Sequence, residues 1–460
     1  MNVSRIGRRI LGDTTLTASF ERPCMEYTDD LGALLSETGV NAVLGWIVVV
    51  VLLTTGVLTA LEGAFDWTFI ALVVVTIALV PGVVFRDPRV MPPWELLAVA
   101  AVPILWEALL GRAFVTDVPA YLAVAALALL VAVELHQFTA VRLNHGLAVA
   151  LVVLTTLAAA GIWNVLQWTA DVLVDTSFVL DGRSQDAINA DVMVEFIYAG
   201  IAGVVGGLLF DLYFRSRDRM PTERTYVPPK PRAEADDASS TAEPDSPKLR
   251  DRLGITPRRQ RQASRAMQVV LAVVLVWGLS VRDLPTIANA GVALAITFVP
   301  AILEREYDLP MDAGLVLWIT TAVFLHALGS AGLYDAIDPW DHLTHALSAS
   351  VVAAAGYAIF RAVHVHTDRV YIPPKVMAVF ILVFVFAAGV VWEILEFVID
   401  QSAIVIGLDA VLAQYGIDDT IVDLMFNAVG AVVVTLWGTA YLTDVSDSLS
   451  ERFDSWYEDA

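Results

Sequence analysis

Long apolar runs, separated by short polar breaks, fill most of the chain. Twelve can be read, at roughly 41–61, 66–85, 94–114, 119–141, 146–168, 190–213, 264–281, 286–303, 312–333, 342–361, 375–399 and 418–442. Each approaches the roughly 20 residues an α-helix needs to cross a bilayer core. The pattern predicts an all-α membrane protein of about twelve transmembrane helices. One break differs from the rest. Residues 215–262 contain the stretch Pro228-Pro229-Lys230-Pro231-Arg232-Ala233-Glu234-Ala235-Asp236-Asp237, proline-rich and mixed in charge. Such a composition predicts a disordered linker. It separates a first block, 41–214, from a second, 263–443. A polar segment, 1–40, precedes them and an acidic tail, 444–460, follows.

Motifs recur across the linker. Val80-Pro81-Gly82-Val83-Val84-Phe85-Arg86 pairs with Val299-Pro300-Ala301-Ile302-Leu303-Glu304-Arg305. Glu107 stands 26 residues after Pro81, and His326 stands 26 after Pro300. Asp117 and Tyr121 pair with Asp341 and His345. The frame Trp163-Asn164-Val165-Leu166-Gln167 pairs with Trp392-Glu393-Ile394-Leu395-Glu396, and Asp191 and Glu195 pair with Asp419 and Asp423. The expectation is two tandem six-helix repeats. Six is even, so both repeats cross in the same sense and are parallel.

Charge refines this picture. The 460 residues are 57% apolar yet carry 50 acids against 28 bases, a net charge of -22. Acid-rich linkers and tails of this kind suit a very salty, halophile-like cytoplasm. No strongly basic folded surface is evident, so no nucleic-acid partner is expected. The single cysteine, Cys24, excludes an internal disulfide and a cysteine-based metal cluster. No cleavable signal is read at the start, and Met1 and Met25 both remain candidate start residues. Placing the N-terminus inside leaves only Arg112, Arg183 and Arg282 of the 28 basic residues on the outer side. The bias predicts a multi-pass cell-membrane protein with both termini and the linker cytoplasmic.

With that orientation, polar residues of the second repeat converge near the extracytoplasmic surface. His326 lies late in span 9, and Asp341, His342 and His345 open span 10. Glu393, Glu396 and Asp400 close span 11, while Asp419, Asp423 and Asn427 open span 12. The i, i+4 spacing of Asp341 and His345 and the i, i+3 spacing of Glu393 and Glu396 each put a pair on one helical face. Ionisable groups at bilayer depth are costly and normally face a protein interior or a watery cavity. Carboxylates and imidazoles on facing helices are how bundles hold metals, so Asp341, His345, Glu393 and Glu396 are the candidate ligands. Without cysteine the set suits a divalent cation: zinc, manganese, iron, magnesium or calcium. Asp423 or His342 would serve as general base if a bound ion activates water. His326, Asp400, Asp419 and Asn427 support the cluster. The bland alternatives are that Asp341 and Asp419 only cap helices, that His345 is a hydrogen-bonded structural histidine, and that the glutamates form a structural network. The first repeat reads as a worn copy, with Tyr121, Asn164, Gln167 and Ala199 replacing His345, Glu393, Glu396 and Asn427.

Asp341-His342-Leu343-Thr344-His345, Trp392-Glu393-Ile394-Leu395-Glu396 and Asp419-Thr420-Ile421-Val422-Asp423 resemble the DHxxH, WExxE and DTxxD signatures of YjdF-like inner-membrane proteins. The resemblance spans roughly residues 290–440. It implies a polytopic architecture and marks Asp341, His345, Glu393, Glu396, Asp419 and Asp423 as signature positions, and it implies no reaction. Three functions stay open at this point. One is a membrane-embedded metal-dependent hydrolase or transferase acting on a lipid or small molecule. Another is a secondary transporter of protons, cations or a small solute. The last is a structural or accessory membrane protein. Whether the chain is an enzyme is left undecided.

Overall fold

The computed structural model describes residues 39–110, 117–138, 141, 143–217, 256–307, 311–337, 339–366, 370–408, 410–412 and 414–437. The polar N-terminal segment, most of the linker, the acidic tail, Arg112 and Cys24 lie outside the described residues. Among those residues the chain is helical, with no strand. The first block comprises α1 (Gly39–Leu61), α2 (Phe65–Phe85), α3 (Trp94–Leu110), α4 (Asp117–Phe138), α5 (His145–Val174) and α6 (Gln185–Arg217). The second comprises α7 (Pro257–Val281), α8 (Leu284–Ile296), α9 (Val299–Tyr307), α10 (Ala313–Leu328), α11 (Pro339–His366), α12 (Pro374–Val405) and α13 (Ile417–Trp437).

Among the described residues, ten helices are long and apolar enough to cross a membrane, with α8 and α9 together making one crossing length. Two shorter apolar helices, Trp94–Trp106 and Tyr121–Leu135, accompany them. Outward faces carry apolar side chains such as Val43, Ile47, Val57, Leu208 and Val276. In water this would be a liability, and in lipid it is the expected outer coat.

Several boundaries differ from the sequence pattern for local reasons. α7 begins at Pro257, inside the stretch read as linker, because Thr256 caps it by accepting the Arg259 N–H and proline suits the first helical turn. Pro81 lies within α2, whereas Pro300 opens α9 just after the break from α8. Two residues of similar sequence setting thus act differently, one tolerated near a helix end and one placed where its missing N–H costs nothing.

The blocks meet through α5 and α6 of the first and α12 and α13 of the second, each helix of one pair touching both of the other. Gly161 on α5 lies against Val390 on α12, and a side chain at Gly161 would collide with the valine. Polar bonds seal one end of this seam. Asn189 donates to Gln414 at 2.9 Å and accepts from Thr420 at 3.1 Å, while Trp168 donates to Asp418 at 2.6 Å. Apolar cores fill the rest, one joining α5, α6, α12 and α13 around Met193, Phe196, Val390 and Leu424.

Candidate metal centre

The site gathers at the end of the bundle where α11 and α13 begin and α12 finishes. Asp341 sits in the first turn of α11, where a carboxylate is favoured by the unpaired N–H groups, and His345 follows one turn later on the same face. Asp423 faces them from α13. His345 Nε2 lies 3.6 Å from Asp341 Oδ1 and 3.5 Å from Asp423 Oδ2. One ligand atom from each of the three residues falls within 4.8 Å of the others, a group that could hold a metal ion. The Asp341 and Asp423 carboxyls thus both stand against one imidazole nitrogen. Two carboxyls that close need a proton or a cation between them.

A cavity of about 10 Å³ lies at this point, lined by Asn289, His326, Ser330, Tyr334, Asp341, His345, Glu396, Leu412 and Asp423. That is about the space of one water or one ion. His345, Glu393, Glu396 and Asp423 are all buried, and Glu393 has no exposed surface. Glu393 Oε1 and Asp423 Oδ1 are buried and lack hydrogen-bond partners. Unpaired carboxylate oxygens in the interior are expensive, so their presence here argues for a positive occupant.

The other sequence candidates separate by role. Glu396 lines the cavity, while Glu393 stands beside it and accepts from Gln414 Nε2 at 3.2 Å. The Asn427 amide lies beside His345. Asp419 accepts the Tyr415 N–H at 2.9 Å, a helix-start contact. Asp400 accepts the N–H groups of Val411 and Leu412 at 2.7 and 2.6 Å, so it clamps the loop after α12. His342 turns away from the cavity and stacks on Phe426, ring centroids 4.4 Å apart. The sequence pattern passed over Tyr334, Ser330, Asn289, Leu412 and Gln414. Only the closely spaced Gly329 and Gly332 hinted at an irregular segment there.

In the first block the corresponding residues form a different arrangement. Tyr121 and Asn164 both donate to Glu195, each at 3.4 Å. Asp171 accepts from Thr176 and from the N–H groups of Phe178, Val179 and Leu180 at 2.6–2.8 Å, clamping the loop after α5.

Comparison with known proteins bears on the second block most directly. Residues 263–444 match the model of a family described as a predicted membrane protein (DUF2238). The candidate centre lies wholly within that match. Residues 29–91 match a domain of unknown function (DUF8268). No curated protein and no solved structure matches the chain. The chain is therefore a predicted multi-pass membrane protein whose second block carries a group able to hold a metal.

Proposed function

We propose that this protein binds one divalent transition-metal cation within the membrane, at Asp341, His345 and Asp423, with Glu396 as a further carboxylate. The observation that carries this is a cavity of one-ion size beside three residues whose ligand atoms lie within 4.8 Å of one another. A mixed imidazole–carboxylate set favours zinc, manganese or iron over magnesium and calcium, which prefer oxygen ligands and higher coordination or retained water. The small volume favours holding or passing an ion over hydrolysis of a lipid. In this reading Glu393 adds charge around the centre, Asp419 and Asp400 organise its rim, and His342 is not the general base.

We also read the chain as two parallel six-span repeats, with both termini and the linker cytoplasmic and the second repeat YjdF-like. The reciprocal packing of α5 and α6 on α12 and α13 supports this, because a two-fold relation makes each helix meet both its counterpart and its counterpart's neighbour. Gly161 and Val390, which touch, occupy matching positions two residues before Trp163 and Trp392.

Metal content of the purified protein tests the function. Near-stoichiometric zinc, manganese or iron is expected in the wild type and should vanish in Asp341→Ala/His345→Ala that still elutes as a folded species. Metal-free wild-type protein that also fails to take up added zinc would refute the reading.

A further inference from the structure

The chain after α10 departs from helical regularity in a way the cavity explains. Gly329–Leu333 makes a π-type turn, with Gly332 at φ 119°, a conformation glycine adopts without strain. On a regular helix, residues eight apart are about 12 Å apart along the axis. The wide turn instead folds Tyr334 back over its own beginning. The Tyr334 ring fills the place a side chain on Gly329 would need. As a result the Tyr334 hydroxyl reaches His326 Nδ1 at 2.8 Å and Thr344 Oγ1 at 3.4 Å.

Thr344 Oγ1 lies 2.8 Å from the main-chain carbonyl of Asp341, which can only accept, so the threonine proton is committed there and Thr344 is left to accept from Tyr334. The Tyr334–His326 bond can run either way: the phenol donates to Nδ1, or Nδ1–H donates to the phenol, and only the second leaves a lone pair on Nε2. A cation held at Nε2 selects the second, and the tyrosine proton then turns to Thr344.

We propose that His326, through Nε2, is a fourth ligand of the cation, and that Tyr334 is the positioning residue that accepts its Nδ1 proton and sets its ring orientation. This rests on the cation-binding reading above. His326 and Tyr334 both line the cavity with the three ligands already named. The rings of His326 and His345 are edge-to-face with centroids 6.5 Å apart. In a tetrahedral site two imidazoles bound at metal–nitrogen distances of about 2.0–2.1 Å have centroids about 5 Å apart, so the two rings must draw together by about 1 Å or more to share the ion. Metal-bound histidines characteristically give their second nitrogen to an outer partner, and each ring here has a candidate: Asn427 beside His345 and Tyr334 at His326. Two imidazoles and the two aspartates make the set of a four-coordinate zinc-type ion, with Glu396 beside it as an outer carboxylate.

The test is X-ray absorption at the zinc edge on the full-length protein in detergent, loaded with zinc, together with zinc affinity by competition against a chelator. Two imidazoles per zinc are expected in the wild type and one in His326→Ala. Tyr334→Phe removes only the hydroxyl and keeps the ring packed against Gly329. It should weaken zinc about 10–100-fold, the usual effect of losing an outer-shell partner. One imidazole in the wild type, or wild-type affinity in both variants, would overturn the assignment while leaving the Asp341/His345/Asp423 site standing. A wild type that takes up no zinc would overturn that site and this assignment together.

Discussion

Tyr121, Asn164 and Glu195 in the first block and His345, Glu393 and Asp423 in the second hold matching places in the two motif series, yet their chemistry is opposite. In the first block a phenol and an amide both donate to one carboxylate, and the small network satisfies itself. In the second, acceptors face acceptors, and buried oxygens on Glu393 and Asp423 lack partners. The same helical frame can thus close on itself or wait for an ion, according to whether its side chains bring protons. The loop clamps show the converse. Asp171 and Asp400 stand eight residues after Trp163 and Trp392, and both bind the main chain of the following loop, so there the two blocks behave alike.

The most severe way to break the contrast is to write the first block's donors into the second. His345→Tyr combined with Glu393→Asn should abolish zinc binding, lowering affinity by far more than the roughly 100-fold ceiling for outer-shell losses. The same variant should fold and raise the apo-protein's Tm, because newly supplied donors relieve acceptors that cost about 1–3 kcal/mol each when unpaired. Chelator competition and thermal unfolding in detergent would measure the two effects. Zinc binding at wild-type strength would show that the contrast has no bearing on metal.

A smaller effect separates the two clamps. Asp171 receives four hydrogen bonds and Asp400 two. Asp171→Asn should therefore destabilise the fold by about 2–4 kcal/mol and Asp400→Asn by about 1–2 kcal/mol, since charge-assisted bonds weaken and the new amide opposes N–H donors. Thermal shifts of the opposite rank would contradict this account. The mildest change is Asn427→Ala, which copies Ala199 of the first block. Loss of the His345 partner should weaken zinc about tenfold with little change in Tm. An unchanged affinity would detach Asn427 from the centre.

Much of the site was legible because helical faces are a local property. Asp341 and His345 share a face at i, i+4, and the structure brings both to the cavity with Asp423. His342 stands i, i+3 from His345, so spacing did not separate it from the cluster, and only the fold stacks its ring on Phe426. Asp400 was not separable from Glu393 and Glu396 by spacing, because all three lie on one face. Its role depends on where the next loop returns, and Val411 and Leu412 bring their N–H groups to it. Tyr334 was invisible for a related reason. A regular helix would carry it away from His326, and only the turn at Gly329–Leu333 returns it.

The sequence alone determined that this is a helical membrane protein, and which acids and histidines share a helical face. Apolar run length and helical period are properties of neighbouring residues and of the bilayer, so they need no knowledge of the fold. Only the tertiary structure decided which acceptors meet across helices, which carboxylate holds a loop, and how a tyrosine comes to touch a histidine eight residues before it. Those outcomes depend on the facing of distant helices and the return of loops, where one buried oxygen either finds a donor or does not.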